Sequence, residues 1–452
     1  MAIIRKRLAA AILLSAAPLA NADNLLEVYQ KALENDPTLR AAQANYRANV
    51  EQENIAFSVL LPQVNASANY TTSESDADNG TTVRSSESDS YGWKVSASQT
   101  IFNANQWFNF RSAEFVTAQA EAQFAADQQD LIYRVVEAYL NVLRAVSNLT
   151  TARAEEAALQ RQYEQTQQRY DVGLIAITDV YEARSTLDGV IANRIQLEGQ
   201  VAIAFEALEA ITGQPEANVA PLVEAFPVNA PEPAAPAAWV STSLENNLSL
   251  KVARATMDSA ERSATATSWN HGPTVSLSAE YGQSTSDVEL PTASMTDTDG
   301  WSATLSARVP LFQGGGTSAS SRRAHEQFNV AKERYIGTQR QVTQQARSSY
   351  LTAMTGVATV DARQQAIVSA QSSLDATQAG YEVGTRNIVD VLNAQQALYR
   401  AQSNYSNARF DYVLSLLALK QVAGSLSPDD INRLNEWLDS ENQLNRVDLS
   451  SY

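Results

Sequence analysis

Hydrophobic positions along this chain follow two different periods. Over long stretches they recur at steps of four and three, the seam of an amphipathic helix packed in a coiled coil. One seam reads Leu131, Val135, Ala138, Val142, Ala145, Leu149 and Ala152. A second reads Val180, Ala183, Leu187, Val190, Arg194, Leu197, Val201, Ala204, Leu208 and Ile211. A third reads Val391, Ala394, Leu398, Ala401, Tyr405, Ala408, Tyr412, Ser415, Leu419 and Val422. The small residues on these seams imply close helix approach. Elsewhere the pattern alternates residue by residue: Val64, Ala66, Ala68, Tyr70, then Tyr91, Trp93, Val95, Ala97. It does so again at Val275, Leu277, Ala279, Tyr281, and at Trp301, Ala303, Leu305, Ala307, Val309. Segments of about ten residues with one apolar face suit a membrane barrel with a wet lumen. The same alternation also fits a soluble hairpin packed on helices.

Proline marks where helices cannot run. Of the 13 prolines, none falls in 63–214 or 311–427. Two very long helices are expected there, over about 104–170 and 318–381. Each has the length of about 100 Å at 1.5 Å per residue. Neither can bury its seam alone. Shorter helices over about 37–60, 178–211, 249–268 and 388–422 supply the cover. The body is expected to be a needle of helices, mainly α within an α+β fold.

The chain repeats itself. Positions 166–213 align with 377–424 without gaps, and 14 of the 48 residues are identical. The matches include Tyr170/Tyr381, Val172/Val383, Gly173/Gly384, Asp179/Asp390 and Gly213/Gly424. The same offset joins Pro62/Pro273 and Tyr70/Tyr281. Two structural repeats follow, 23–213 and 239–424, around a Pro/Ala-rich linker at 214–238 and before a C-terminal segment at 425–452. Strand pairs are expected over about 63–72 with 91–101, and 274–282 with 300–309. The polar stretches between them, about 71–90 and 283–299, read as exposed outer loops. Tyr70, Tyr91, Trp93, Tyr281 and Trp301 fall at the loop-side ends, where an aromatic girdle would sit. Four strands cannot close a membrane barrel, which needs about eight. Open edges in lipid leave backbone groups unpaired at high cost. In a membrane, several chains must therefore share one barrel, and a threefold ring supplies 12 strands.

Composition narrows the chemistry. Arg5, Lys6 and Arg7, the apolar run Leu8 to Ala17 and the small residues Ala20-Asn21-Ala22 read as a secretory signal peptide over 1–22. Without its three basic residues the chain carries 30 Lys+Arg against 50 Asp+Glu, a net charge of −20. Such a surface repels nucleic acid. With no Cys, disulfides, thiolate metal sites and Cys nucleophiles are excluded. The two histidines, His271 and His325, are too far apart in sequence to suggest a pair, and no cofactor is expected. Gly314-Gly315-Gly316 lacks the Lys and Ser/Thr of a phosphate loop and reads as a strand-to-helix turn.

Several motifs resemble the TolC family of outer-membrane efflux proteins. They are Asn24-Leu25-Leu26-Glu27-Val28-Tyr29, Leu61-Pro62-Gln63, Gln99-Thr100-Ile101-Phe102, Arg169 to Val180, Ile367 to Ala376 and Gly380 to Val391. The resemblance implies a homotrimer in the outer membrane of a Gram-negative bacterium. It implies a 12-stranded transmembrane β-barrel continuous with a periplasmic α-helical barrel, and an equatorial domain drawing on 214–248 and the tail after Pro428. The implied role is an exit duct for multidrug efflux or type I secretion, without enzymatic activity. The implied partners are a periplasmic adaptor, an inner-membrane transporter of ABC, RND or MFS type, and outer-membrane lipid. A secreted trimeric coiled-coil scaffold or adhesin without a pore is the alternative. It explains the heptads but not the strand pairs with aromatic ends.

The turns Asp171–Thr178 and Glu382–Asn387 each join a long helix to a shorter one, at the end remote from the strands. Val-Gly suits a helix stop in which glycine turns left-handed. Thr178 and Asp179 then read as N-cap residues of the next helix. The resemblance adds a gate latch: Tyr381 and Arg386 match residues that bond across to the facing hairpin, where Thr178 and Asp179 match the partners. Gly173 and Gly384 mark the tips an adaptor would touch. Asp390 matches one of two entrance carboxylate positions, and the other is Asn393 here, so one ring of carboxylates is expected instead of two.

Overall fold

The computed structural model describes residues 24–446 apart from 217 and 290–293. The segment expected to be a signal peptide, 1–22, lies outside the described residues, as does the end of the C-terminal segment. In chain order the elements are α1 (Leu25–Asn35), α2 (Pro37–Ser58), β1 (Gln63–Asp78), β2 (Val83–Asn103), α3 (Ala104–Asp171) and α4 (Ile177–Thr212). Then follow β3 (Asn218–Val219), α5 (Pro236–Asn246), α6 (Leu248–Ser268), β4 (Thr274–Glu289) and β5 (Ser294–Arg308). The chain ends with α7 (Gly316–Glu382), α8 (Ile388–Val422), α9 (Pro428–Asn435) and β6 (Leu444–Asn445). The chain is mainly helical and contains two repeats.

Local chemistry sets the boundaries. Asp36 accepts from the Leu39 N–H at 2.9 Å and Pro37 opens α2, so α1 stops and α2 starts at one residue. Asn103 ends β2 and caps α3 by accepting from the Gln106 N–H at 3.3 Å. α4 stops at Gly213, whose φ of 69° is the left-handed cap. The long helices α3 and α7 have 68 and 67 residues. α3 packs on α2 and α6 toward the strands and on α4 toward the opposite end, while α7 packs on α6 and then α8.

The largest core lies at mid-length. Leu131, Val135, Tyr139 and Val142 of α3 meet Leu25 and Val28 of α1, Phe205 and Leu208 of α4, and Ile431 of α9. Each such side chain contributes about 1.5–3 kcal/mol by leaving water. The linker and the C-terminal segment wrap this core. β3 pairs with β6, the Tyr139 hydroxyl donates to Ala220 O at 3.0 Å, and the Ala220 N–H donates back at 2.8 Å. Lys31 pairs with the fully buried Glu216 at 2.8 Å, and Arg134 with Asp36 at 2.8 Å. Burial would raise the Asp36 carboxyl, but hydrogen bonds from Arg134 and Leu39 outweigh it and hold the group below the usual carboxylate range.

The strands form one antiparallel sheet in the order β1-β2-β4-β5. They run well past the expected ends. The stretches expected to be outer loops are instead mostly strand, with β1 pairing onto β2 from Gln63↔Ser98 to Asp78↔Val83. These upper strands are polar on both faces, so apolar alternation could not reveal them. Asn79-Gly80 makes the turn: Gly80 has φ 82° and donates its N–H to Asp78 Oδ1 at 2.7 Å.

Candidate functional site

Register brings the four alternating segments onto common faces. Ala66↔Val95, Val95↔Tyr281 and Tyr281↔Trp301 are directly opposite, as are Val64↔Ala97, Ala97↔Ala279 and Ala279↔Ala303. Residues directly opposite share a face. One face is therefore apolar across all four strands, and the other carries Asn65, Ser67, Lys94, Ser96, Ser278, Glu280, Ser302 and Thr304. On the polar face Lys94 and Glu280 approach to 4.0 Å. A Cβ added to Gly92 would stand 2.7 Å from Gln283 O, and one added to Gly282 would stand 2.6 Å from Trp93 O. Both positions lie on the polar face, where the neighbouring backbone leaves no room for a side chain.

The aromatic residues singled out in the sequence come together as one belt on the apolar face. Tyr70 lies opposite Tyr91, and Tyr281 opposite Trp301. The Trp93 and Tyr281 rings meet edge to face at 5.6 Å. Trp301 is 78% exposed and Tyr70 67%. A second exposed group, missed in the sequence, lies where strands meet helices: Phe102, Trp107, Trp269, Leu311 and Phe312. Its signal was the run of large apolar residues on either side of each strand exit.

At the other end stand the two hairpin tips. Gly173 and Gly384 both have φ 79°. Behind them the Leu174 N–H donates to Arg169 O at 2.9 Å and the Thr385 N–H to Gly380 O at 2.8 Å, the signature of a Schellman stop. Val172, Leu174 and Val383 project from the tips with 70%, 70% and 75% exposure.

The expectation that Thr178 and Asp179 cap α4 is corrected. The helix begins one turn position earlier, with Ala176 at the N-cap and no side-chain cap. Asp179 sits in the first turn, where its charge complements the helix dipole. Its Oδ1 accepts from the Thr178 hydroxyl at 3.4 Å. In the second hairpin the capping is complete. Asn387 Oδ1 accepts from the Asp390 N–H at 2.8 Å, and Asp390 Oδ2 accepts from the Asn387 N–H at 3.4 Å. That box was legible as Asn387-x-x-Asp390 and was overlooked. Asn393 lies exposed one turn further along α8.

Among the described residues, neither Tyr381 nor Arg386 bonds to Thr178 or Asp179 within one chain. Arg386 Nη1, in the turn before α8, stands 3.9 Å from Asp390 Oδ2 in the first turn of that helix. The Tyr381 hydroxyl is buried without a hydrogen-bond partner among the described residues, and its ring lies under Arg169 of α3. Higher up, a recess of ≈ 660 Å³ opens between α3, α4 and α8, lined in part by Glu155, Asn193 and Arg400. Burial pushes the Glu155 carboxyl above its ordinary range, against the opposing pull of Arg400.

The model of the family described as outer membrane efflux protein matches residues 28–214 and 239–425. The chain is 38% identical over 419 residues to the outer membrane protein TolC of Vibrio cholerae, covering 92% of this chain and 94% of that protein. It is 30% identical to the alkaline protease secretion protein AprF of Pseudomonas aeruginosa, covering 90% of this chain and 85% of that one. The solved structure of the Campylobacter jejuni CmeC outer membrane channel superposes with a TM-score of 0.73 at 18% identity, over 92% of this chain and 90% of that one, a likeness of fold. A family model that fits both repeats, on a chain whose sheet and tips repeat in the same way, places this protein in the outer membrane efflux protein family.

Proposed function

We propose that three copies of this chain close a shared 12-stranded barrel and a helical tube beneath it, gated at the hairpin tips. The protein is an outer-membrane exit duct for efflux and type I secretion. The observation that carries the pore reading is the single apolar face, continuous across all four strands and backed by a polar one. From the belt at Tyr91 to Phe102 is 11 residues. That is about 36 Å along a strand, or about 28 Å upright at a tilt of about 40°, close to the apolar band of about 25 Å. The two aromatic groups then mark the two membrane interfaces.

Strand direction supports the assembly. The order β1-β2-β4-β5 is antiparallel throughout, so β5 of one copy meets β1 of the next antiparallel as well. Joining copies this way removes every edge that lipid would leave unpaired. The long helices continue the tube into the periplasm. There the exposed Val172, Leu174 and Val383 beside Gly173 and Gly384 form the surface for a periplasmic adaptor, with an inner-membrane transporter of ABC, RND or MFS type beyond it. The partner supplies the energy.

The gate holds by links between neighbouring hairpins. Arg386, whose guanidinium makes only a loose contact with Asp390 among the described residues, reaches Thr178 and Asp179 of the next chain. A single exposed pair contributes about 0–1 kcal/mol, but three symmetric copies bias a two-state tip that a docked adaptor can overcome. The test is single-channel conductance of the detergent-purified protein in planar bilayers. Arg386→Ser raises it. A monomeric protein, soluble without detergent and inactive in bilayers, would sink the reading.

A further inference from the structure

The polar face of the sheet is short of charge. Among its described side chains the charged ones are Lys94, Glu280 and Arg308. Arg308 stands at the helix-side end of β5, opposite Thr274. Lys94 and Glu280 each lie one residue from Trp93 and Tyr281, at the level of the aromatic belt. Lys94 Nζ comes within 4.0 Å of Glu280 Oε2, and the Ser302 hydroxyl donates to Glu280 Oε1 at 3.4 Å. Glycine makes the room. A Cβ at Gly282 would stand 2.9 Å from Lys94 Cβ, and Gly92 and Gly300 border the same recess of ≈ 360 Å³ around the pair. With the two side chains 60% and 54% exposed, the contact adds little to stability. What it does is cancel charge on this face.

Above the belt the sheet sorts its charges by face. Glu74 lies opposite Glu87, and Asp89 opposite Asp287. These four carboxylates, with Asp297 and Asp299 of β5, fall on the side of Tyr70 and Tyr281. The other face of the same rows presents serine and threonine, with Val288 the exception. In a chain with a net charge of −17, Glu280 is the one carboxylate on the polar face among the described side chains. It is also the carboxylate that has Lys94 beside it.

We propose that Lys94 and Glu280 are the selectivity-determining pair of the barrel pore. This rests on the trimeric pore proposed above, in which three copies bring three ammonium and three carboxylate groups to one level. Twelve strands spaced by about 4.8 Å and tilted by about 40° give a backbone radius of about 12 Å. The Debye length is about 10 Å at about 0.1 M salt, so the field of the ring reaches across the lumen. Balanced, the ring passes small anions and cations alike. A ring of carboxylates alone, or of ammonium groups alone, filters by sign. Charged cargo of either sign then leaves without being held at the exit.

The test is the reversal potential of the full-length protein in planar bilayers under a gradient of dilute salt. Every variant carries Arg386→Ser and Asp390→Ala, so that neither a closed tip nor the entrance carboxylates mask the barrel. Lys94→Gln raises the cation-to-anion permeability ratio about threefold, Glu280→Gln lowers it by a similar factor, and the two together restore the starting value. The shifts fade at about 1 M salt, where the Debye length is about 3 Å. Asp299→Asn, on the apolar side, leaves the ratio unchanged. A second measurement reads the lumen directly. Ser96 stands opposite Glu280 and the chain has no cysteine, so Ser96→Cys reports the local potential through its rates with cationic and anionic thiol reagents that cannot cross the membrane, added outside. The cationic reagent gains rate in Lys94→Gln and loses it in Glu280→Gln. Three results overturn the pair: thiol rates that shift this way while reversal potentials stay fixed, both single variants moving the ratio in one direction, or Asp299→Asn moving it as far as Lys94→Gln. If no pores form, or if Ser96→Cys lies beyond the reach of the reagents, the pore reading itself has failed and the pair falls with it.

Discussion

Val172 and Val383 end the two long helices with nearly the same dihedrals, φ −93° and ψ 5° against φ −93° and ψ 4°. The glycines that follow share a φ of 79°, and the bonds that close the turn connect equivalent positions. The side chains around this common backbone have diverged. Arg169, Leu174, Ile175, Ala176 and Thr178 stand in the first hairpin where Gly380, Thr385, Arg386, Asn387 and Val389 stand in the second. A helix stop is dictated by backbone carbonyls that need partners, so duplication preserves it. Attraction between tips needs opposite chemistry. Two tips that both presented only carboxylates would repel. One hairpin presents acceptors at Thr178 and Asp179 and keeps its cation for the ring of Tyr381, while the other presents Arg386.

The largest effect tests the shared half of this comparison. Gly173→Val and Gly384→Val each force a branched side chain into the left-handed region, at a cost of about 1–2 kcal/mol or more. No atom lies within 4 Å of a Cβ at either position, so strain alone acts and the two losses match. Amide hydrogen exchange across each turn should accelerate about tenfold in its own variant. Clearly unequal acceleration would mean that the turns are not energetically equivalent.

A smaller effect probes the divergent half. Asn387→Ala removes the capping box of α8 and costs about 1 kcal/mol. Ala176→Asn installs the missing cap on α4 and stabilises it by a similar amount. Exchange of the Asp390 amide should speed up in the first variant, and that of the Asp179 amide should slow in the second. If both move in the same direction, capping does not distinguish the tips.

The smallest effect concerns ion preference at the entrance. In the trimer we propose, three copies of Asp390 stand as one carboxylate ring, and such rings select cations. Asp390→Ala lowers cation preference and relieves block by trivalent cations, whereas Asn393→Asp adds the second ring and strengthens both. Reversal potentials in a salt gradient report the change. Identical potentials in all three proteins would remove the ring from the mechanism.

Much of the fold was legible because the signals were local. The absence of proline from 63–214 and 311–427 allowed the long helices, and the identity between repeats located both turns. The upper strands were not legible, since Ser, Thr and acidic residues on both faces leave no apolar alternation to detect. The helix start at Ile177 was misplaced because Thr178-Asp179 looks like a cap, yet Ala176 already has the extended backbone of one. At the hairpin tips the residue types were readable, but the cation that meets the Tyr381 ring was not. Arg169 belongs to the other repeat, and nothing local links the two.

The sequence by itself determined the elements, their duplication and the chemistry available at each tip, because periodicity, helix stops and charge are properties of neighbouring residues. Only the tertiary structure decided which faces coincide and which side chains meet. Strand register put four separate alternations on one apolar surface and the polar residues between them on the other. The packing of α3 against α8 set the Arg169 guanidinium on the ring of Tyr381, at the end of α7. Such contacts join residues far apart along the chain, and their geometry depends on how whole helices and strands pack.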